Sequence, residues 1–166
     1  MRFTLRRLTP DDLLSVLALQ AGAYGALCES PAAMGSRLEH GGAWCLGAQD
    51  DHGRLGAYLL AHPWPDSTPP AWNQSLPGLP ALAPRFYLHD LALGAATRGQ
   101  GIAGRLVQQA LAGARRARCH EALLVAVQDS AGFWARQGFR VMTPPPAVAA
   151  KLASYGDDAR LMWQRL

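Results

Sequence analysis

A glycine-rich turn lies near the middle of the chain, with the sequence Arg98-Gly99-Gln100-Gly101-Ile102-Ala103-Gly104-Arg105-Leu106. An apolar segment typical of a strand, residues 86–93, precedes it, and residues 97–117 predict a turn followed by an amphipathic helix. Closely spaced glycines let backbone N–H groups approach an anion without a Cβ in the way. A helix N-terminus adds unpaired N–H donors and the positive end of the helix dipole. With an arginine at each end, the turn predicts an anion site suited to a pyrophosphate.

The same glycines match the dinucleotide-binding fingerprint, because Gly99, Gly101 and Gly104 have the spacing of that motif. Asp129 also follows a predicted strand, near where a ribose-binding acid would lie. In that motif, however, the strand leads almost directly into the first glycine, whereas residues 94–98 intervene here. The short remainder of the chain predicts no further βαβ units. The alternative of a dinucleotide-dependent oxidoreductase is therefore less well supported. A Walker loop is excluded, since Lys151 is the chain's single lysine.

Composition predicts one soluble domain over residues 1–166. The chain has 166 residues, 49% hydrophobic and 17% charged, with a net charge of +4. The cations are scattered except for residues 115–118, at the predicted end of a helix where the dipole favours them. Neither nucleic acid nor a membrane surface is expected as a partner, and no apolar run approaches the ~20 residues of a membrane span.

Metal binding and a disulfide framework are not expected. The three cysteines are widely spaced and the histidines show no i, i+4 pairing. No apolar segment typical of a secretory signal follows the charges near Met1. These features predict a reducing, cytoplasmic setting.

The elements on either side of the turn predict an α+β domain. A strand over 3–7 is followed by two helices, the second ending before Gly41, and by a hairpin of residues 43–47 and 54–61. Residues 63–84 hold seven of the twelve prolines and predict a long packed loop inserted between strands. After the central helix, a strand, a short helix and two further strands are expected over 122–127, 130–137, 139–142 and 159–166, the last as an edge strand. Residues 143–158 are expected to form a loop.

Two segments resemble the motifs of the GCN5-related N-acetyltransferase (GNAT) superfamily. Residues 87–106 resemble motif A, an apolar strand, a short loop and then Arg/Gln-x-x-Gly-x-Gly/Ala, present as Arg98, Gly101 and Ala103. Residues 123–139 are similar to motif B, a strand, a short helix with adjacent aromatic residues, and Gly-Phe. The resemblance covers nearly the whole chain. It implies a GNAT fold: a mixed, mostly antiparallel twisted sheet of six to seven strands, about four helices on both faces, and two central parallel strands that splay apart.

The resemblance also implies acetyl-CoA as co-substrate, with no metal. The turn amides and Arg98 would bind the pyrophosphate, and the end of the strand would pair with the pantetheine arm and polarise the thioester carbonyl. Gln128 stands where many members carry an asparagine that bonds the cofactor. The residues implied in cofactor binding are Leu91, Ala92, Leu93, Arg98, Gly99, Gln100, Gly101, Ile102, Ala103, Gly104, Gln128, Ser130, Phe133 and Trp134.

Proton transfer has several candidate residues. The reaction needs a neutral amine, so a base must accept a proton, and His89 or Asp90 lies at the right depth of the strand. Neighbouring strand residues face opposite sides, so both can reach the gap only if a bulge intervenes. The family often has a tyrosine, proposed as the acid, where this chain has Trp134, and an indole is no useful acid. The acid step then falls to another group, to water or to none, and Tyr155 is a candidate.

The acceptor is the least determined part of the reaction. The acceptor pocket is expected from the first two helices, the proline-rich insertion and the loop 143–158, through Tyr24, Glu29, Trp64, Asp66 and Trp72. These residues suit a cationic or hydrophobic amine. The leading prediction is transfer of an acetyl group to a primary amine of a small molecule by direct attack in a ternary complex, in a monomer or homodimer. The alternatives are acetylation of a peptide N-terminus and a non-catalytic acyl-CoA-binding domain.

Overall fold

The computed structural model describes residues 2–80 and 82–166. Its described part contains seven strands and five helices in one sheet-centred unit. In chain order these are β1 (Phe3–Arg7), α1 (Leu13–Tyr24), α2 (Pro31–Gly41), β2 (Leu46–Asp50), β3 (Leu55–Trp64), β4 (Arg85–Leu93), α3 (Ile102–Arg116), β5 (Glu121–Ala126), α4 (Ala131–Arg136), β6 (Arg140–Val141), α5 (Pro146–Leu152) and β7 (Arg160–Arg165).

The strands form a mixed sheet in the order β1-β2-β3-β4-β5-β7-β6. All neighbours are antiparallel except β4 and β5, which are parallel and are joined through α3. The parallel pair is short, running from Arg85 opposite Glu121 to Tyr87 opposite Leu123. Beyond that point β4 continues to Leu93 without pairing to β5. The predicted mixed fold with splayed central strands is therefore confirmed.

Alternation along the central strands builds a core on each face of the sheet. On β3, Leu59 and Ala61 pack toward the side of α3, while Tyr58 and Leu60 pack toward α1 and α2. The helix α3 contributes an apolar stripe to its core, and Ile102, Leu106, Val107, Ala110, Leu111 and Ala114 are buried. The short helix α5 lies over β5 and β7 in a third cluster formed by Val148, Leu152 and Leu161. Burial on both faces fixes the register, since a one-residue slip would exchange the two cores.

Two sequence predictions for the proline-containing segments were wrong. The strand β3 runs on through Pro63 to Trp64, so the proline-rich segment covers 65–84 rather than 63–84. Pro63 is tolerated because β2 pairs with β3 only as far as Leu59, and no ladder on that side needs its missing N–H. The predicted loop over 143–158 contains α5. Its first residue is Pro146, a position where the absent N–H costs nothing.

The predicted edge position of the last strand was also wrong. The strand β7 lies between β5 and β6, and the two-residue strand β6 forms the edge.

The strand β2 begins at Leu46 rather than at residue 43, because residues 42–44 form a 3₁₀ turn. The helix α3 starts at Ile102, after Gly101 has taken a left-handed conformation with φ 70°.

Candidate active site

A cavity of about 440 Å³ opens where β4 and β5 separate. The strand β4 supplies one wall, and the end of β5, the loop after it and α4 supply the other. The first helix and the proline-rich segment 65–84 close one end. The lining residues are Gln20, Ala23, Tyr24, Leu27, Glu29, Trp72, Tyr87, Leu88, His89, Asp90, Leu91, Ala92, Leu93, Arg98, Gly99, Ala103, Val125, Val127, Gln128, Ser130, Phe133, Trp134 and Tyr155.

A β-bulge on β4 shapes the middle of this cavity. In the β3–β4 ladder, Leu60 pairs with Asp90 and Ala61 with Leu88, so His89 has no residue opposite it. A bulge re-aims the side chains at its position. As a result, His89 and Asp90 both line the cavity although they are adjacent in the strand. The condition that the sequence set for both side chains to reach the gap is met.

The glycine-rich turn forms the other end of the cavity. Gly99 and Gly101 have φ of 74° and 70°, and a Cβ built on either glycine meets no atom within 4 Å. Their backbone is therefore open, and the first turn of α3 leaves N–H groups without helical partners. Arg98, Gly99 and Ala103 line the cavity. An anionic group fits this cradle, because a side chain at either glycine would fill the space in front of the amides.

The other predicted members of the turn do not line the cavity. Ile102 is buried in the core beneath α3, and Gly104 faces the side chain of Gln137. Gln100 donates its backbone N–H to Thr97 at 3.4 Å, so this amide belongs to the turn itself. Gly101 acts through its backbone, as the left-handed residue that begins α3. Successive residues of a tight turn point in different directions, so only some residues of this turn line the cavity.

The motif-B residues line the wall opposite β4. Gln128, Ser130, Phe133 and Trp134, the motif-B residues implied in cofactor binding, all line the cavity. Trp134 is 7% exposed and packs edge-on against Phe133 at 5.0 Å and Phe139 at 5.6 Å between ring centroids. Its indole therefore serves as a packed wall. Gln128 adopts φ 52°, which an L-residue rarely takes and which bends the chain away from β5.

The end near α1 is aromatic and acidic. Tyr24, Glu29 and Trp72, expected in the acceptor pocket, line it together with Tyr155, the candidate acid. Trp64 and Asp66 do not: Trp64 donates its indole N–H to the Thr68 carbonyl at 2.8 Å, and Asp66 is exposed.

Four further lining residues at this end were missed by the sequence analysis. The four are Gln20, Ala23, Leu27 and Tyr87. The first three form, with the predicted Tyr24, one stripe of α1 and the turn after it, which the i, i+3, i+4, i+7 spacing could have indicated. Tyr87 lines the cavity from β4.

Asp90 lies within a group of tyrosine hydroxyls. Tyr58 donates to Asp90 Oδ2 at 2.6 Å, and Tyr24 donates to the Leu91 carbonyl at 2.8 Å. Burial raises the pKa of Asp90 above the ordinary aspartate value. Burial and the nearby Asp90 charge raise the pKa of Tyr58, so its hydroxyl stays protonated as a donor. Asp90 therefore accepts a proton more readily than an ordinary aspartate.

Glu29 and His89 form a hydrogen-bonded pair through His89 Nε2. Arg37 Nη2 lies 3.6 Å from the same carboxyl, and the backbone N–H of Asn73 donates to it. Burial alone would raise the pKa of Glu29, but the hydrogen bond and charge of His89 and the charge of Arg37 outweigh it and lower the pKa. Burial raises the pKa of Tyr155 to about 12.

Metal and membrane features are not found in the described residues. Residues 2–80 and 82–166 contain no group of three or more His, Cys, Asp or Glu side chains arranged to hold a metal ion. Within the same residues, no helix has the length and apolar character needed to cross a bilayer.

Comparison with known proteins gives a family and a set of similar folds. Residues 16–139, more than half of the chain, match the model of the acetyltransferase (GNAT) family. No curated protein matches significantly.

Three solved structures illustrate the similar folds. The loading GNATL domain of CurA from Lyngbya majuscula has a TM-score of 0.81 and 11% identity over 99% of this chain and 98% of that chain. PaiA N-acetyltransferase from Thermoplasma acidophilum in complex with coenzyme A has a TM-score of 0.70 and 13% identity over all of both chains. The NatC complex bound to Gag peptide and CoA has a TM-score of 0.71 and 21% identity over 100% of this chain and 99% of that chain.

Proposed function

The chain belongs to the acetyltransferase (GNAT) family, whose enzymes use acetyl-CoA as co-substrate, and we propose that it transfers the acetyl group to a primary amine of a small molecule. The observation that carries this proposal is the bulge on β4. It turns His89 and Asp90 together into the gap between β4 and β5, with the glycine-rich turn at the far end. Two proton acceptors and an anion cradle thus face one cavity.

The glycine-rich turn and the gap between β4 and β5 suit two parts of acetyl-CoA, the pyrophosphate and the pantetheine arm. The open amides of Gly99 and Gly101 and the guanidinium of Arg98 suit the pyrophosphate. Beyond Leu123, the β5 strand offers no pairing to β4, so an extended pantetheine arm can take that place as an added strand. An N–H of residues 91–93 would then donate to the thioester carbonyl and stabilise the charge that develops on its oxygen.

Transfer follows by direct attack of the amine on the thioester carbonyl carbon. The C–N bond forms, the C–S bond breaks, and its electron pair stays on the CoA sulfur. One amine proton must leave, and His89 and Asp90 are the acceptors within the cavity. Tyr155 lines the same cavity and keeps its proton at neutral pH, since its pKa is about 12, so its hydroxyl can protonate the leaving sulfur.

The proline-rich segment 65–84 supports a small acceptor. It is fastened over the end near α1, where Ser30 N–H donates to Asn73 Oδ1 at 2.6 Å and Lys151 Nζ donates to the Pro69 carbonyl at 2.7 Å. Trp72 of this segment reaches the cavity. A covered, aromatic and acidic end suits a compact amine better than an extended peptide.

The free cysteines Cys28, Cys45 and Cys119 support a cytoplasmic location.

The test is turnover of acetyl-CoA with a panel of amines. The panel holds aliphatic amines, aromatic amines, amino acids and short peptides, and the acetylated product is identified by mass spectrometry. We expect an acetylated small amine whose formation matches CoA release. Acetylation confined to peptides would replace the small-molecule assignment. Tight CoA binding without turnover of any amine would refute the enzymatic proposal in favour of a binding domain.

A further inference from the structure

Contacts other than its bond to His89 already hold Glu29 in place. Its backbone is held by Gln20, whose Oε1 accepts from Glu29 N–H at 2.9 Å and whose Nε2 donates to the Glu29 carbonyl at 3.2 Å. Its side chain is 5% exposed. A buried carboxyl that is clamped at both its backbone and its side chain has one orientation, so its partner is oriented as well.

The Glu29 carboxylate is surrounded by donors. His89 Nε2 and the backbone N–H of Asn73 bond to it, and Arg37 Nη2 lies 3.6 Å away. Arg37 is itself fully buried and donates Nη1 to the Ala33 carbonyl at 2.7 Å. Donors on every side favour the ionised carboxylate. An ionised carboxylate only accepts hydrogen bonds, so His89 carries its proton on Nε2.

The other ring nitrogen of His89 is left free. In the neutral Nε2–H tautomer, Nδ1 holds the lone pair, and this atom is buried without a hydrogen-bond partner in the described part of the chain. A buried polar atom without a partner calls for an explanation such as a ligand or a catalytic role. His89 lines the cavity at the end closed by α1 and Trp72. Asp90 differs, since its carboxyl already accepts from Tyr58.

We propose that Glu29 is a positioning residue, which fixes His89 in the Nε2–H tautomer so that Nδ1 accepts the proton of the acceptor amine. This inference rests on the proposed N-acetyltransferase activity. As the C–N bond forms and the C–S bond breaks, the amine proton passes to Nδ1, and the imidazolium is stabilised by the Glu29 carboxylate. Tyr155 gives its proton to the leaving CoA sulfur, and the imidazolium proton then returns through solvent to the Tyr155 oxygen, which restores neutral His89 and the tyrosine hydroxyl.

Several charged or titratable side chains lie near the His89 ring. The charged and titratable groups around it are Glu29 and Arg37 from the α2 side, His62 on β3, Tyr87 and Asp90 on β4, and Tyr155 before β7. Of these, Glu29 forms the direct bond to its ring. His62 is an internal reference, because its Nδ1 bonds to the Pro63 carbonyl at 3.0 Å and its proton must therefore lie on Nδ1.

The first experiment determines the histidine tautomers in the full-length protein. Nitrogen-15 NMR of the five labelled histidines, with His89→Gln and His62→Gln spectra for assignment, should show His89 as the Nε2–H form and His62 as the Nδ1–H form. This measurement needs no enzyme turnover and no variant of Glu29. An Nδ1–H tautomer at His89 would overturn the proposal.

The second experiment compares Glu29→Gln with Glu39→Gln, an exposed residue of α2 outside the cavity. The glutamine oxygen can still accept from Nε2 but carries no charge. We expect kcat to fall roughly tenfold or more, and by at most the 10²–10⁴-fold that general base catalysis contributes in full. The acidic limb of kcat/KM should move to lower pH by roughly one to three units, since the charge that stabilises the imidazolium is gone. Glu39→Gln should leave both unchanged.

The outcomes separate the positioning role from the activity. A folded Glu29→Gln protein with a lower kcat but an unmoved acidic limb would mean a merely structural role and would overturn the proposal. If Glu29→Gln does not fold, the tautomers of the wild-type protein decide. A wild-type protein that has the Nε2–H tautomer but acetylates no amine would refute the proposed function while leaving the Glu29–His89 arrangement intact.

Discussion

Gly101→Ala should separate the anion cradle from the stability of the fold. At φ 70° an L-residue costs about 1–2 kcal/mol, although the added Cβ meets no atom within 4 Å. For a chain of this length that cost lowers Tm by roughly 2–8 °C. The methyl group would also stand in front of the amides that face the pyrophosphate. Loss of one charge-assisted hydrogen bond, about 1.5–3 kcal/mol, weakens CoA binding roughly 10- to 150-fold.

The matched control is Gly53→Ala, in the hairpin between β2 and β3. Gly53 also has a positive φ, 82°, and the nearest atom to its built Cβ is the end of the flexible Gln49 side chain, at 3.2 Å. It should lose similar stability and keep wild-type CoA affinity. The assays are calorimetric titration with CoA and thermal unfolding of both variants. Equal CoA affinity in the two variants would refute the placement of the pyrophosphate at this turn.

Three further substitutions test the rest of the cavity. Burial raises the pKa of Asp90, so the free energy of unfolding falls as the pH rises above the ordinary aspartate value of about 3.9. Asp90→Asn should therefore raise Tm at pH 7 but not at pH 3. An unchanged Tm at pH 7 would argue against this burial penalty. Trp72→Ala should raise the KM for the amine severalfold and leave CoA affinity unchanged. Trp64 lies outside the cavity, so Trp64→Ala should change neither. Equal effects of the two substitutions in steady-state kinetics would contradict the assignment of the acceptor end. Tyr155→Phe should lower kcat roughly tenfold or more at unchanged KM for acetyl-CoA, the loss of an acid of modest strength, and an unaltered kcat would exclude its hydroxyl as the acid.

Much of the fold could be predicted because local patterns and tertiary structure agree. The turn at Gly99–Gly104 begins a helix whose apolar residues recur on one side, and these features do not depend on distant contacts. The position of β7 could not be derived in this way. Its insertion between β5 and β6 depends on strand pairing, and the two residues of β6 give almost no periodic signal. The helix α5 was missed for another reason. Pro146 indicates an extended loop, but a proline that breaks a helix interior can stand at its first position.

The same distinction between local and long-range features applies to the candidate active site. The residues of the motif-B wall and of the end of β4 came from the resemblance to the family's motifs A and B, each of which is a continuous segment of the chain. The bulge at His89 was stated only as a condition, since it arises from the register of β3 against β4. The Glu29–His89 bond joins residues sixty positions apart, and only the folded chain brings them together.

The most direct test of the central claim is a crystal structure of the protein with CoA. We predict the pantetheine arm between β4 and β5, paired with residues 91–93, the pyrophosphate on the amides of Gly99 and Gly101, and the sulfur in the part of the cavity lined by His89 and Asp90. A pyrophosphate bound elsewhere, or a sulfur remote from both side chains, would contradict the account.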